Sequence, residues 1–133
     1  MTQTKEKIDH AIENGIGWMA NIEEMLKSLE TENDRDRNNA MQTINESVLS
    51  VLVRDGWHSP GQLPDDGAEE YEILLSTGGP ALRIYGKLGS CDEPETAILQ
   101  WQDWFKPWTD CTFPTEKQRN QLLQFAQCFY FGG

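Results

Sequence analysis

Carboxylates are the most abundant side chains able to do chemistry in this sequence, which has 22 Asp and Glu residues against 11 Lys and Arg. They concentrate in two short runs, "PDDGAEEYE" at 64–72 and "CDEPE" at 91–95. Two neighbouring carboxyl groups can work as general acid and general base when burial raises the pKa of one of them. Both runs lie in or beside segments with the glycines and prolines typical of exposed loops. The runs therefore favour a charged surface over a catalytic pair.

The other reactive side chains show none of the spacings used by known reaction centres. Cys91, Cys111 and Cys128 form no CxxC pair, and the sequence has no secretory signal, so we expect free thiols. His10 and His58 have no HExxH or cysteine spacing around them. We therefore predict no metal, no cofactor and no enzymatic activity.

A glycine-containing stretch, "STGG" at 76–79, separates two apolar segments. A phosphate-binding loop would need a GxxxxGK[ST] or GxGxxG spacing before a helix, and neither is present. Alternate residues are apolar on both sides of the stretch: Tyr71, Ile73 and Leu75 precede it, and Leu82 and Ile84 follow it. This alternation predicts a β-hairpin with a tight turn at 76–80.

Two further segments have the pattern of strands. β-branched residues follow one another between 48 and 57, and apolar and polar residues alternate between 97 and 102. Together with the hairpin, these segments predict a four-stranded antiparallel sheet.

Helical periodicity is strongest near the start of the chain, from Lys5 to Leu29. Apolar residues recur there at steps of three and four, which places them on one face of an amphipathic helix. These residues are Ile8, Ile12, Ile16, Met19, Ile22, Leu26 and Leu29. Gly15 and Gly17 either weaken the middle of this helix or allow close packing there.

Two more helices complete the predicted fold. A short one follows the polar segment 30–39, with Asp34 and Asp36 at its positive end, and another spans 115–131 with Thr115 as its N-cap. The predicted class is α+β: two N-terminal helices, a four-stranded antiparallel sheet and a C-terminal helix packed on one face. We assign residues 1–133 to one domain, in which 1–46 are helical, 47–110 form the sheet and 115–131 form the last helix.

Charge is distributed unevenly along the chain. The formal net charge is −11, and residues 55–95 alone hold nine acids and two bases. Nucleic-acid binders need clustered Lys and Arg, so direct binding to DNA or RNA is not expected. If the fold brings the acidic loops to one edge, they form a patch that would attract a basic protein surface and imitate a phosphate backbone. The predicted patch contains Asp65, Asp66, Glu69, Glu70, Asp92, Glu93 and Glu95. The alternative is that these loops only keep the protein soluble.

Aromatic residues concentrate at the other end of the sequence, which holds nine of the thirteen from Trp101 onward. Trp104 and Trp108 flank a short loop, where exposed indoles would suit a partner or a homodimer contact. Ordinary core packing is the alternative for both. The sequence also lacks an apolar run of about 18 residues and a signal peptide, so we expect a protein of the cytosol.

Four sequence segments together resemble small acidic proteins of bacteriophages and integrated mobile elements: "VLVRDGWHSPG", "EEYEILLSTGGPALRIYGKLG", "EPETAILQWQDWFKPWT" and "LLQFAQCFYFGG". The resemblance covers about residues 47–131, and it transfers no catalytic residue. Phage proteins of this kind include inhibitors of host defence, notably anti-CRISPR proteins that occupy nucleic-acid sites or block subunits of surveillance complexes.

The resemblance and the charge pattern lead to three hypotheses. The first is an anti-defence protein in the bacterial host cytosol that binds a host defence protein or CRISPR effector subunit through its acidic surface. The second is a protein that sequesters a small signalling nucleotide in a pocket lined by Arg54, Trp57 and Arg83. The third is a phage structural or assembly module.

Overall fold

A computed structural model describes residues 2–55, 60, 68–77, 80–103 and 106–131. The elements, in chain order, are α1 (Thr2–Ser28), α2 (Asp34–Glu46), β1 (Ser50–Asp55), β2 (Ala68–Ser76), β3 (Ala81–Lys87), β4 (Ile98–Gln102), β5 (Thr109–Asp110) and α3 (Glu116–Ala126), with a single 3₁₀ turn at Ser90–Asp92. The predicted α+β class is confirmed. Of the residues named above, Trp57, His58, Asp65, Asp66 and Trp104 lie outside the described ranges, as do Gly78 and Gly79 of the hairpin turn.

The sheet in the described ranges has five antiparallel strands in the order β1-β2-β3-β4-β5, so every strand pairs with its neighbour in sequence. The predicted hairpin of β2 and β3 is present, with Ile73 opposite Ile84 and Glu72 opposite Tyr85. The prediction of four strands missed β5, which has two polar residues opposite Gln100 and Trp101. A two-residue strand is too short to show an alternation of apolar and polar positions.

The core lies between one face of the sheet and the helices. Alternate residues of the two central strands point into it, as their sequence pattern predicts: Tyr71, Ile73, Leu75, Leu82 and Ile84 are each at most 2% exposed. The helices contribute Met19, Ile22, Ile44, Leu122 and Phe125, which are equally buried. Since side chains alternate along a strand, the residues between these form the opposite, open face of the sheet.

Side chains that accept hydrogen bonds cap the two shorter helices. Asn33 accepts a hydrogen bond from the backbone N–H of Asp36 at the start of α2. Thr115 caps α3 as predicted, and Gln118 completes a reciprocal capping box with it. The last helix ends at Ala126, earlier than the predicted 131, but Phe129 and Phe131 beyond it are still buried.

Helix α1 is continuous through both of its glycines, and Gly15 lies against the core. A Cβ at this position would be 2.7 Å from the ring of Phe113, so the glycine permits close packing of the helix. The predicted apolar face of α1 is only partly buried. Met19 and Ile22 are buried, whereas Ile8, Ile12 and Ile16 are 38%, 37% and 52% exposed. The N-terminal half of the predicted face therefore lies beside the core rather than in it.

Among the described residues, no helix has both the length and the apolar character needed to span a bilayer.

Candidate functional site: the acidic end of the sheet

The antiparallel order brings several carboxylates to one end of the sheet. At this end β1 finishes with Asp55 opposite Ala68 of β2, and the backbone N–H of Leu88 donates to the carbonyl of Glu69. Leu88 then bridges to Pro94, which holds the loop 88–97 beside the start of β2. We call the five described carboxylates at this end the acidic end: Asp55, Glu69, Asp92, Glu93 and Glu95. All are exposed except Asp92, which is half-buried.

The acidic end includes four of the seven residues predicted for the acidic patch, namely Glu69, Asp92, Glu93 and Glu95. Asp65 and Asp66 belong to a segment outside the described ranges. The structure places Glu70 on the open face of the sheet. Asp55 was not predicted, although its position at the end of a strand next to an acidic loop was visible in the sequence.

Hydrogen bonds fix the loop 88–97 from several directions. Within the loop, the N–H of Gly89 donates to the carbonyl of Glu93 over 2.8 Å. Toward β3, the N–H of Glu95 donates to the carbonyl of Lys87, whose own N–H donates to the Thr96 hydroxyl. A loop held by paired backbone groups loses little conformational freedom when a partner binds to it.

Two side chains from other elements also hold this loop. The Tyr71 hydroxyl donates to the carbonyl of Thr96 over 2.6 Å, and the side-chain amide of Gln127 donates to the carbonyl of Pro94 over 3.2 Å. Gly86 makes the first contact possible, since a Cβ on it would overlap the Thr96 carbonyl. The loop 88–97, which we call the acidic loop, is thus connected to the inner strand β2 and to the end of α3.

The tip of the loop has an unusual backbone. Cys91 and Asp92 both have positive φ, at 63° and 55°. This left-handed conformation costs an L-residue other than glycine about 1–2 kcal/mol. Asp tolerates it better than most residues because its short polar side chain can hydrogen-bond locally. The surrounding hydrogen bonds maintain the strained turn that carries Asp92.

Glu70 is paired on the open face and is therefore not a free charge of the acidic end. Its carboxylate accepts hydrogen bonds from Tyr85 and from Arg54 of the neighbouring strand. The Tyr85 hydroxyl and then the Arg54 guanidinium hold the pKa of Glu70 below its ordinary value. The same hydrogen bond, together with burial, raises the pKa of Tyr85.

A second polar network crosses the open face around Arg83. Its guanidinium donates to Glu72 over 2.5 Å and to Gln100 over 2.8 Å, and the Gln100 amide donates to Asp110 over 2.7 Å. The guanidinium carbon also lies 4.8 Å from the ring centre of Tyr85 and 4.3 Å from that of Trp108. These are cation–π distances.

The two networks line one concavity of about 510 Å³ on the open face. Leu52 and Val53 of β1 give it an apolar side. Arg54 and Arg83, the two arginines of the predicted nucleotide pocket, both line it, together with Glu72, Gln100 and Trp108, which are not part of that prediction. The sequence signal for Glu72 and Gln100 is their period-two alternation with core residues, which places them on the face opposite the core; Trp108 lies outside the strands and has no such signal.

The aromatic residues at the chain's end serve mostly internal contacts. Phe125, Phe129 and Phe131 are buried, and the ring of Phe131 lies 5.0 Å from that of Tyr71. Trp108, predicted as a partner or dimer contact, is half-buried and stacks on Arg83. Among the described aromatic residues of this region, Tyr130 differs, since it is 82% exposed.

In the ranges that the structure describes, no group of three or more His, Cys, Asp or Glu side chains is placed to hold a metal ion. All three cysteines are free. Burial raises the pKa of Cys128, and burial followed by the charge of Asp110 raises that of Cys111 to about 11. A raised pKa opposes formation of the nucleophilic thiolate.

The fold and the site define a small α+β protein with an anchored acidic loop at one end of its sheet. Comparisons with protein-family models, with curated proteins and with solved structures gave no match for this chain.

Proposed function

We propose that this chain is a phage-encoded, anti-CRISPR-like inhibitor that binds a nucleic-acid-binding host defence protein and has no catalytic activity of its own. The observation that carries the proposal is the anchored loop 88–97, which adds the carboxylates of Asp92, Glu93 and Glu95 to those of Asp55 and Glu69 at one end of the sheet. The bound surface of the partner is basic, because it normally holds a phosphate backbone.

A loop whose backbone is already held supports this mode of binding better than a mobile loop. The loop's hydrogen bonds to β3, Tyr71 and Gln127 hold its backbone before any partner arrives. Binding therefore costs little further ordering, and the negative field of a protein with net charge −11 accelerates the encounter with a cationic surface. A general acid–base pair would instead need a carboxyl group withdrawn from water, whereas Glu69, Glu93 and Glu95 are exposed.

Competition with DNA tests the proposal directly. Purified CRISPR effector complexes are loaded with fluorescently labelled DNA, and the protein is titrated in while anisotropy is recorded. We expect displacement of the DNA from at least one complex, with an affinity that falls as salt is added. No displacement from any complex of the panel would contradict the CRISPR assignment.

Charge-neutralising variants then locate the surface. The test variant combines Asp92→Asn, Glu93→Gln and Glu95→Gln, and the control combines Glu24→Gln, Glu30→Gln and Glu32→Gln. Each changes the net charge from −11 to −8, so the two differ only in location.

The control residues lie at the end of α1 and in the segment between α1 and α2. Glu23 is 3.8 Å from Lys117 near the start of α3, whereas the acidic loop is bonded to Gln127 just after the end of that helix. We expect the loop variant to lose about tenfold or more in affinity and the control to lose much less. Equal losses would mean that overall charge, and not the acidic end, drives binding.

A second candidate function is sequestration of a small signalling nucleotide, which the concavity on the open face favours. Arg54 and Arg83 both line it, and Trp108 offers an aromatic surface. It ranks second because each guanidinium already pairs with a carboxylate, Arg54 with Glu70 and Arg83 with Glu72. A phosphate would have to compete with these internal partners.

Calorimetry with cyclic nucleotides separates the two candidates. Sequestration predicts heat of binding without any protein partner, and loss of that heat in Arg83→Gln. The inhibitor hypothesis predicts no heat with nucleotides and undiminished competition with DNA in the same variant.

A further inference from the structure

Strand β1 forms one edge of the sheet. The sheet order places it outermost, with β2 as its neighbour, and within the described ranges no backbone hydrogen bond reaches its other side. Alternate residues of an edge strand direct their N–H and C=O groups away from the sheet. Such a row of backbone groups is a template for a further strand.

The residues of β1 do little to prevent that pairing. Natural edge strands carry Lys or Pro, or are kept very short, whereas β1 has six residues and neither Lys nor Pro. Its charges, Arg54 and Asp55, are confined to its last two positions, after the apolar run Val51, Leu52 and Val53. Leu52 is 58% exposed and Val53 is 48% exposed. An apolar edge of this kind favours the addition of a strand.

The pairing with β2 shows which face each apolar residue of β1 occupies. Directly opposite residues of neighbouring strands share a face. Val53 lies opposite the buried Tyr71 and is therefore on the core face, whereas Leu52 lies opposite Glu72 on the open face. Val51, two residues before Val53, shares the core face with it. A strand that covers this edge therefore has to offer apolar side chains on both faces.

A second copy of β1 is such a strand. A two-fold axis at Leu52 makes the two strands antiparallel and brings the two Leu52 side chains together on the open face. On the core face, Val51 of each copy then lies opposite Val53 of the other. Arg54 lies opposite Ser50, so no like charges face each other.

Other registers fit less well. An axis between two residues would put open-face residues opposite core-face ones. A pair centred on Val53 puts Arg54 opposite Leu52 and Asp55 opposite Val51, and one centred on Arg54 brings two guanidinium groups together. A pair centred on Val51 overlaps over only three residues of the strand. The register centred on Leu52 therefore matches apolar side chains over the longest overlap.

The antiparallel direction also separates the two acidic ends. Each β1 finishes at the acidic end with Asp55, so the two strands direct these ends to opposite sides of the pair. Two chains of net charge −11 repel each other, and the repulsion is smallest when their most acidic parts lie far apart.

We propose that two copies of this chain pair through β1, antiparallel about Leu52, and so join their sheets into one. A single strand pair buries little surface, so the association is weak and depends on protein concentration. The dimer presents two acidic ends, but it does not depend on the function proposed above.

Sedimentation equilibrium over a hundredfold range of concentration measures the association, at about 0.15 M salt to screen the net charge. We expect the average mass of the wild type to rise toward twice that of the monomer. Leu52→Lys brings two ammonium groups together at the axis and should raise the dissociation constant about tenfold or more.

The control is Ile98→Lys. Ile98 lies in the same row across the sheet as Leu52, joined to it through Glu72 and Tyr85, and it is also exposed, at 38%. It belongs to the inner strand β4, so Ile98→Lys should associate like the wild type. Both variants change the net charge from −11 to −10, and circular dichroism confirms that both keep the fold.

Three results would overturn the proposal. The first is a wild type that stays monomeric throughout the range. The second is a folded Leu52→Lys variant that associates like the wild type, and the third is equal weakening by Ile98→Lys.

Disulfide formation tests the direction of the strands. In a background with Cys91, Cys111 and Cys128 changed to Ser, the single variants Leu52→Cys and Asp55→Cys are oxidised separately. The proposed pair brings the thiols of Leu52→Cys within disulfide reach, whereas those of Asp55→Cys are about 20 Å apart. We therefore expect covalent dimers from Leu52→Cys much faster than from Asp55→Cys. A rate for Asp55→Cys that equals or exceeds that of Leu52→Cys would overturn the arrangement.

Discussion

The hydroxyl of Tyr71 donates a 2.6 Å hydrogen bond to the backbone carbonyl of Thr96, joining the centre of the sheet to the last part of the acidic loop. Tyr71 is 1% exposed, and its burial raises the pKa of the phenol well above the ordinary value. The Tyr71 hydroxyl therefore keeps its proton, and its hydrogen bond, across the range of pH in which proteins are handled. It links the stability of the core to the position of the acidic loop.

Tyr71→Phe removes only this hydroxyl. We expect the free energy of unfolding to fall by about 1–3 kcal/mol, because the Thr96 carbonyl loses a partner in a partly buried place. Hydrogen exchange should accelerate at the amides of Gly89 and Glu95, which hold the loop. Tyr130→Phe, at an 82% exposed position, is the matched control and should change neither quantity. Unchanged exchange in Tyr71→Phe would show that the loop holds its position without this bond.

Two glycines provide opposite predictions for the same substitution. Gly86→Ala would push a Cβ into the Thr96 carbonyl, and overlap with backbone costs about 1–3 kcal/mol or more. Gly17→Ala meets nothing within 4 Å and should stabilise α1 by about 1 kcal/mol. Urea denaturation of both variants measures the difference. A stable Gly86→Ala variant would mean that the loop can leave the sheet at little cost.

The three thiols should react at different rates with iodoacetamide at about pH 8. Cys91 is exposed, whereas burial and the charge of Asp110 raise the pKa of Cys111 from 9.0 to about 11. The thiolate fraction of Cys111 falls on the order of a hundredfold with that shift. Peptide mapping should find Cys91 modified first, and in urea all three should react alike. Early modification of Cys111 in the native protein would contradict its burial.

Acid should weaken the protein partly through Glu70. Its pKa is lowered from 4.5, first by the Tyr85 hydroxyl and then by Arg54, so the native state binds this proton less readily than the unfolded chain. The ionised Glu70, held by Tyr85 and Arg54, therefore stabilises the fold at pH values above the ordinary carboxyl pKa. This stabilisation is lost as the pH falls through the lower pKa that Glu70 has in the native state. Tyr85→Phe should raise the pKa of Glu70 in a carboxyl-detected NMR titration. It should also reduce stability at neutral pH more than at about pH 3. A Glu70 pKa that does not change would contradict the hydrogen bond.

Much of the fold could be predicted because local patterns and the core agree. Tyr71, Ile73 and Leu75 alternate with outward residues in the sequence and are buried in the structure. Thr115 has both the residue type and the position of an N-cap. Where a short motif decides the local structure by itself, the sequence alone is enough to predict that structure.

Other features depend on contacts between distant residues. Nothing near Gly86 in the sequence indicates that Thr96 crosses it, and nothing near Glu70 indicates that Arg54 and Tyr85 pair with it. The helical period of α1 likewise treats Ile12 and Ile22 alike, although the first is 37% exposed and the second is buried. The period shows which residues share a face, but the neighbouring elements decide how far along the helix that face is covered.

The hydrogen bond from Gln127 to the Pro94 carbonyl makes the far end of the chain a structural part of the acidic end. Thermodynamic linkage then works in both directions. Binding of a partner to the loop 88–97 would slow the fraying of the final helical turn, and a deletion beginning just after Ala126 would remove Gln127 and loosen this loop, 33 residues earlier in the chain. Truncations that remove Gln127 are therefore expected to change the acidic end as well as the end of α3.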